Sequence, residues 1–207
     1  MTTSAPPAAI LGVILAGGLS RRMGGGDKGL RMVAGRRLLD RAIERLTPQV
    51  GAVILSANGD PARFGVALPV VPDPLPDFPG PLAGLLAGME HAVARAPRAR
   101  HILTVPADCP LLPEDLATRL AAGKGEAAAA IAASGGRDHP VIGLWDVSLA
   151  PLLRHLLVAE GERRVRAFTA RAGAVTVDWP DEPYDPFLNV NTPEDLAAAE
   201  ALIAGSR

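Results

Sequence analysis

Short, largely apolar runs alternate with amphipathic helical patterns along most of this 207-residue chain. The runs at residues 10–16, 52–57 and 101–105 are too short for helices and nearly continuous in apolar residues, which is typical of strands buried on both faces. Helical patterns follow them, as at residues 38–46. This alternation predicts a three-layer α/β fold with an open, mostly parallel sheet. In such sheets, ligands bind beyond the carboxyl ends of the strands.

The full set of predicted elements continues this alternation to the end of the chain. Pro48 ends the first helix, because its ring is incompatible with a helix interior. The segment Thr192-Pro193-Glu194-Asp195 predicts the start of the last helix. Thr192 can cap the helix, Pro193 suits its first position, and Asp195 suits its third. Besides the segments above, we predict strands at residues 68–71, 127–133, 141–145 and 174–177, and helices at 82–94, 114–121, 150–159 and 164–170.

The first strand runs directly into a loop, Gly17 to Lys28, that contains five glycines, two arginines and one lysine. Glycines leave backbone N–H groups bare, and basic side chains supply positive charge, so the loop is suited to phosphate binding. Lysine is rare in this chain, at two residues against 19 arginines, which favours a specific role for Lys28. The loop matches neither the P-loop nor the dinucleotide fingerprint. A flexible basic surface loop is the alternative interpretation.

Asp108 follows the strand at residues 101–105, in a turn stiffened by Pro106 and Pro110. A carboxylate just past a strand end can hold Mg²⁺, which prefers one or two carboxylates together with phosphate oxygens and water. A plain turn or capping aspartate is the alternative. Asn58 and Asp73 also follow strand ends, and simple turn roles are open for both.

The stretch Leu15-Ala16-Gly17-Gly18-Leu19-Ser20-Arg21-Arg22-Met23-Gly24 through Lys28 resembles the opening motif of nucleotidyltransferases that act on molybdopterin. It is most similar to the molybdenum cofactor guanylyltransferases, and it carries one extra residue before the lysine. Related cytidylyltransferases carry Ala-Ala-Gly where this chain has Gly17-Gly18. The resemblance extends through the sequences Pro-Gly-Pro-Leu-Ala-Gly at 79–84, Pro-Ala-Asp-Cys-Pro at 106–110, Arg-Asp-His-Pro at 137–140, Gly-Glu-Arg-Arg at 161–164 and Asn-Val-Asn-Thr-Pro at 189–193.

This resemblance implies a Rossmann-like nucleotide-binding topology of the nucleotide-diphospho-sugar transferase type, and it implies roles for particular residues. Lys28, Arg22 and Asp108 are the expected catalytic residues, with Asp108 as the Mg²⁺ ligand and Mn²⁺ as an alternative ion. GTP is the expected substrate. The residues expected to bind it are Leu15, Ala16, Gly17, Gly18, Lys28, Ser56, Asn58, Asp73, Gly80 and Asp108. The resemblance leaves open whether Ser56 or Asn58 contacts the base. Molybdopterin is expected to contact Arg137, His139, Arg163, Asn189 and Asn191, although solvated charge is the alternative for the basic segments.

Composition limits the remaining possibilities. Apolar residues make up 48% of the chain, which is enough for a hydrophobic core. The net charge is −1, so no general nucleic-acid or membrane surface is indicated. The single cysteine, Cys109, excludes an internal disulfide and a cysteine-based zinc site. We expect residues 1–9 to be a disordered lead-in without signal-peptide features, residues 10–207 to form one nucleotidyltransferase domain, and the location to be cytoplasmic.

The expected activity is transfer of GMP from GTP to the terminal phosphate of molybdopterin, with release of pyrophosphate. Potential partners implied by the resemblance are molybdoenzyme apoproteins or their chaperones. A CTP-dependent molybdopterin cytidylyltransferase, or another nucleotidyltransferase on the same fold, is the first alternative. A nucleotide-binding module without catalysis is the second.

Overall fold

The computed structural model describes residues 9–17, 27–75 and 80–205. These residues form a seven-stranded sheet built from β1 (Ile10–Leu15), β4 (Ala52–Ser56), β5 (Val70–Val71), β6 (His101–Pro106), β7 (Ala129–Ser134), β8 (Arg137–Asp146) and β9 (Val175–Trp179). The strand order is β5-β4-β1-β6-β8-β7-β9. Within the described sheet, β8 alone runs antiparallel to its neighbours. The predicted α/β class with a mostly parallel sheet is therefore confirmed.

Helices cover both faces of the sheet. They are α1 (Leu38–Leu46), α2 (Pro81–Arg95), α3 (Leu116–Lys124), α4 (Ala150–Val158), α5 (Val165–Arg171) and α6 (Pro193–Gly205). Along β1, Ile10 and Ile14 pack into one core together with α1 and α3, whereas Leu11 and Val13 pack into a second core with α2, α4 and α5. This alternation follows from the two-residue period of a strand. It explains why the strands are apolar on both sides.

A smaller unit flanks the sheet and follows Lys28 in the sequence. The strands β2 (Met32–Val33) and β3 (Arg36–Arg37) form a short antiparallel hairpin, which the sequence patterns did not predict. Val33 and Leu38 pack in a third core against Val190 and against Ala199 of α6. This packing brings the segment before α6 up to the residues that follow the glycine loop.

The predicted elements are found with shifts of at most two residues at most ends. Helix α3 ends three residues later than predicted, and the start of one strand differs by four residues. The strand predicted at residues 141–145 begins at Arg137, so Arg137 to Pro140 are part of β8, and Arg137, Asp138 and His139 pair with β7. The start of this strand was not predicted because charged residues and a proline are typical of a loop. A break in register between Ile131 and Ala132 accommodates the irregular pairing.

No helix in the described part of the chain is both long and apolar enough to cross a membrane. The expected cytoplasmic location and the assignment of residues 10–207 to one domain stay predictions.

Candidate functional site

A cavity of about 420 Å³ opens at the carboxyl ends of β1, β4 and β6. This is the edge at which an open parallel sheet is expected to bind its ligand. The described residues that line it are Leu15, Ala16, Gly17, Lys28, Gly29, Ser56, Asn58, Asp73, Gly80, Pro81, Gly84, Pro106, Ala107, Asp108, Val141, Asn189 and Asn191. The cavity thus unites residues from eight separate stretches of the sequence.

The floor of the cavity is formed by the ends of three adjacent strands, β1, β4 and β6. The Ala16 N–H donates to the Ser56 carbonyl at 2.9 Å, and the Ala107 N–H donates to the Leu15 carbonyl at 3.0 Å. These bonds continue the parallel pairing of β1 with β4 and β6 to the point where each chain turns away. The start of the glycine loop is therefore held rigidly next to the Asp108 turn. Gly18 and Arg22 lie outside the described residues, so their expected roles stay predictions.

Lys28 and Asp108 lie next to each other in the lining of the cavity, with Lys28 Nζ 3.5 Å from Asp108 Oδ2. The Asp108 side chain is 15% exposed, and burial raises the pKa of its carboxyl group, an effect that the Lys28 ammonium partly offsets. Gly29 allows this approach, because a Cβ at that position would stand only 3.0 Å from the Ala107 Cβ. A cation and a carboxylate predicted from segments 80 residues apart thus form one cluster.

Asn58 and Asp73 are joined to each other on the β4 and β5 side of the cavity. The Asn58 side-chain amide donates to Asp73 Oδ2 at 2.7 Å, and the Asp73 backbone N–H donates to Asn58 Oδ1 at 2.8 Å. Burial raises the pKa of the Asp73 carboxyl group, while the bond from Asn58 opposes the rise. Ser56 is almost fully buried and Asn58 is exposed. The resemblance left open whether Ser56 or Asn58 contacts the base. Of the two, Asn58 is the more accessible.

The start of α2 forms another wall. Gly80 has a φ of 138°, a conformation that side-chain-bearing residues rarely adopt, and Pro81 occupies the first turn of the helix. One turn further on, Gly84 lets α2 approach the sheet closely. A Cβ at Gly84 would stand 2.8 Å from both Leu15 Cδ2 and Ser56 Oγ.

Asn189 and Asn191 reach the same cavity from the segment that precedes α6. The Val190 N–H donates to the Asp108 carbonyl at 3.0 Å, which ties this segment to the Asp108 turn. The Cys109 thiol donates to Asn189 Oδ1, and Lys28 Nζ donates to Asn191 Oδ1. Cys109 is fully buried, and burial, together with the nearby Asp108 and Asp185 carboxylates, raises the pKa of its thiol well above the usual value.

The other three residues expected to contact molybdopterin do not line this cavity. Arg137 is exposed at the start of β8, and the Arg163 backbone N–H donates to Glu162 Oε1 in the turn before α5. His139 is buried: its Nε2 lies 2.7 Å from Ser134 Oγ, and its ring packs 5.0 Å from that of Phe187. Burial lowers the pKa of His139, which favours the neutral ring.

The sequence patterns missed several contacts that shape the site. Arg63 Nε donates to Asp27 Oδ2 at 2.6 Å and so anchors the residue just before Lys28. The bonds from Lys28 to Asn191 and from Cys109 to Asn189 span 163 and 80 residues. No local spacing could reveal such pairs. A glycine directly after the lysine, Gly29, was the one local signal of close packing at this point.

The donor set in the cavity suits a hard, oxygen-preferring cation. Asp108 offers a partly buried carboxylate, and the two asparagines add amide groups nearby. The described residues contain no cluster of three or more histidine, cysteine, aspartate or glutamate side chains that could hold a metal alone. One carboxylate fits Mg²⁺ bound jointly with nucleotide phosphates, which is how this ion is commonly held.

Comparison with known proteins adds independent findings. A family model described as a MobA-like NTP transferase domain matches residues 12–175. The molybdenum cofactor guanylyltransferase of Bradyrhizobium sp. (strain ORS 278) is 55% identical over 205 residues, which cover 98% of this chain and 97% of that protein. The protein of the same name from Rhizobium meliloti (strain 1021) is 50% identical over 205 residues, covering 95% and 91%.

Among solved structures, molybdopterin-guanine dinucleotide biosynthesis protein A from Archaeoglobus fulgidus superimposes with a TM-score of 0.74. It is 22% identical in sequence, and the match covers 95% of this chain and 99% of that one. At this identity the likeness supports the fold.

Proposed function

This chain belongs to the MobA-like NTP transferase family, and from that premise we propose that it transfers GMP from GTP to the terminal phosphate of molybdopterin. The observation that carries the proposal is the near full-length identity, 55%, to a protein named molybdenum cofactor guanylyltransferase. The cavity at the carboxyl ends of β1, β4 and β6 supports it, because it contains the cation and carboxylate that such a transfer requires.

In the proposed reaction, an oxygen of the molybdopterin phosphate forms a bond to the α-phosphorus of GTP. The bond from that phosphorus to the oxygen shared with the β-phosphate breaks, and pyrophosphate leaves with the electron pair. A phosphate monoester has a second pKa of about 6, so the nucleophile is largely ionised at neutral pH without a general base. In agreement with this, no histidine or cysteine is among the described residues that line the cavity.

The protein's task is therefore to bring two anions together and to stabilise the charge that develops on the leaving pyrophosphate. Lys28 contributes a compact ammonium, and Gly17 lines the same cavity. Asp108 is the residue that would hold Mg²⁺, with Mn²⁺ as an alternative ion. When bound, the ion supplies positive charge to the triphosphate. Arg22, in the glycine loop, is proposed to add a further cation.

The nucleotide subsite is proposed to extend from Lys28 toward Asn58, Asp73 and Gly80, and the pterin subsite toward Asn189. Backbone groups and the Asn58–Asp73 pair offer both donors and acceptors, as a guanine edge requires. Arg137 and Arg163 remain proposed cationic contacts for the pterin phosphate outside the cavity lining. Because His139 is buried, its proposed contribution is to hold the adjacent segment in place.

A calorimetric titration of GTP, CTP and ATP in the presence of Mg²⁺, followed by a pyrophosphate-release assay with molybdopterin, tests the proposal. We expect tight binding and pyrophosphate release with GTP. Release with CTP in place of GTP would identify a cytidylyltransferase instead. Binding of GTP without release in the presence of molybdopterin would indicate a carrier module and would refute the proposed activity.

A further inference from the structure

Lys28 Nζ has two described oxygen neighbours. It donates to Asn191 Oδ1 and lies 3.5 Å from Asp108 Oδ2. An ammonium group has three N–H donors, so both contacts still leave a donor for a ligand phosphate. All three side chains line the cavity. The position of the lysine head group is therefore defined from two sides by groups that are distant in sequence.

Asn191 is itself held firmly. Its backbone N–H and that of Thr192 both donate to Asp195 Oδ2 at 2.9 Å, and the Asp195 N–H donates to Thr192 Oγ1 at 3.1 Å. This reciprocal arrangement is a capping box at the start of α6. On the other side, the Val190 N–H is bound to the Asp108 carbonyl. Asn191 thus has a fixed backbone from which its amide oxygen can restrain a flexible lysine.

Asn189, two residues earlier, has a different partner. Its Oδ1 accepts from the buried Cys109 thiol. Both asparagines line the cavity and belong to one segment, but only Asn191 is bonded to the lysine among the described contacts. The two side chains therefore serve separate tasks, although the sequence suggests a matched pair.

We infer that Asn191 is a positioning residue for Lys28 and acts on the phosphate side of the nucleotide site. Its amide oxygen is neutral, so it directs the ammonium without cancelling its charge. A second carboxylate in its place would compete with the triphosphate for that charge. This inference rests on the proposed function for the identity of the ligand. It places Asn191 in the GTP subsite, and not in the pterin subsite.

A double-mutant cycle on GTP binding tests the inference, because it measures coupling between two residues. GTP with Mg²⁺ is titrated into the wild type, Lys28→Ala, Asn191→Ala and the double variant, and thermal unfolding checks that each is folded. A matched cycle replaces Asn191→Ala with Asn189→Ala. Asn191→Ser serves as the second variant if the alanine form unfolds.

We expect Asn191→Ala to weaken GTP binding about tenfold in the wild type, the scale of one charge-assisted hydrogen bond. In the Lys28→Ala background the same change should weaken it less than about twofold, because its target is gone. Asn189→Ala should have the same effect in both backgrounds. An equal loss from Asn191→Ala with and without Lys28, or no loss in the wild type, would overturn the inference while leaving the proposed function intact. Failure of the wild type to bind GTP would overturn both.

Discussion

Gly84 provides a direct test of how closely α2 must approach the sheet for the nucleotide to fit. In Gly84→Ala, the new Cβ would stand 2.8 Å from Leu15 Cδ2 and from Ser56 Oγ, closer than real Cβ contacts. Both neighbours line the cavity. To relieve the overlap, α2 must move outward or the ends of β1 and β4 must shift, and either movement changes the shape of the cavity.

The cost to stability is the difference between two opposing terms. Overpacking a well-packed interior costs about 1–3 kcal/mol, whereas replacing glycine by alanine inside a helix gains about 1 kcal/mol. The net free energy of unfolding should therefore fall by roughly 0–2 kcal/mol. For a domain of this size, that lowers the melting temperature by up to about 8 °C. If the movement removes the equivalent of one hydrogen bond, about 1.4 kcal/mol, GTP affinity falls about tenfold.

Gly88→Ala is the matched control. It lies one turn further along α2, where a Cβ would stand 2.7 Å from Val13 Cγ2, but Gly88 does not line the cavity among the described residues. Both variants should lose similar stability in thermal unfolding, while only Gly84→Ala should lose affinity in a GTP titration. Equal affinity losses in the two variants, or wild-type affinity in Gly84→Ala, would refute the argument that close packing at Gly84 shapes the site.

Three further predictions concern charge in the site and its surroundings. Lys28→Ala should lower the rate of pyrophosphate release by on the order of 10²-fold or more, because one stabilising donor is lost; a near-normal turnover number would contradict its catalytic role. Removal of Mg²⁺ by a chelator should abolish release, and Mn²⁺ should restore it in the wild type but not in Asp108→Ala; activity that persists in the chelator would refute the metal requirement. His139 has a lowered pKa in the folded state, caused first by burial and then by Arg137, and opposed by Asp185 and Asp138. Its stabilising contribution should be complete above about pH 6.5 and decline as the pH falls below that value, because the unfolded chain then binds the proton more readily. The melting temperature of His139→Gln should therefore fall less between pH 7 and pH 5.5 than that of the wild type, and identical slopes would contradict this reasoning.

The order of strands and helices could be predicted from the sequence because it depends on local periodicity. Buried parallel strands are apolar on both faces, and helices show their own spacing, so the α/β class follows from the sequence without any tertiary contact. The same reasoning placed the start of α6 at Thr192-Pro193, which the capping bonds to Asp195 confirm. It failed at Arg137, where β8 begins. Charged residues and a proline there are typical of a loop, and the strand forms because it pairs with β7.

For the site, the sequence by itself determined which residues follow the ends of the strands, and the polarity of a parallel sheet predicted that ligands bind at that edge. Only the tertiary structure decided which side chains bond to each other there. Lys28 bonds to Asn191 and Cys109 bonds to Asn189, and these bonds join residues that are 163 and 80 positions apart. It likewise decided that His139 is buried beside Phe187. Local pattern encodes the conformation and the buried face of each segment, whereas these pairings arise only when separate segments pack together, and no spacing within one segment records them.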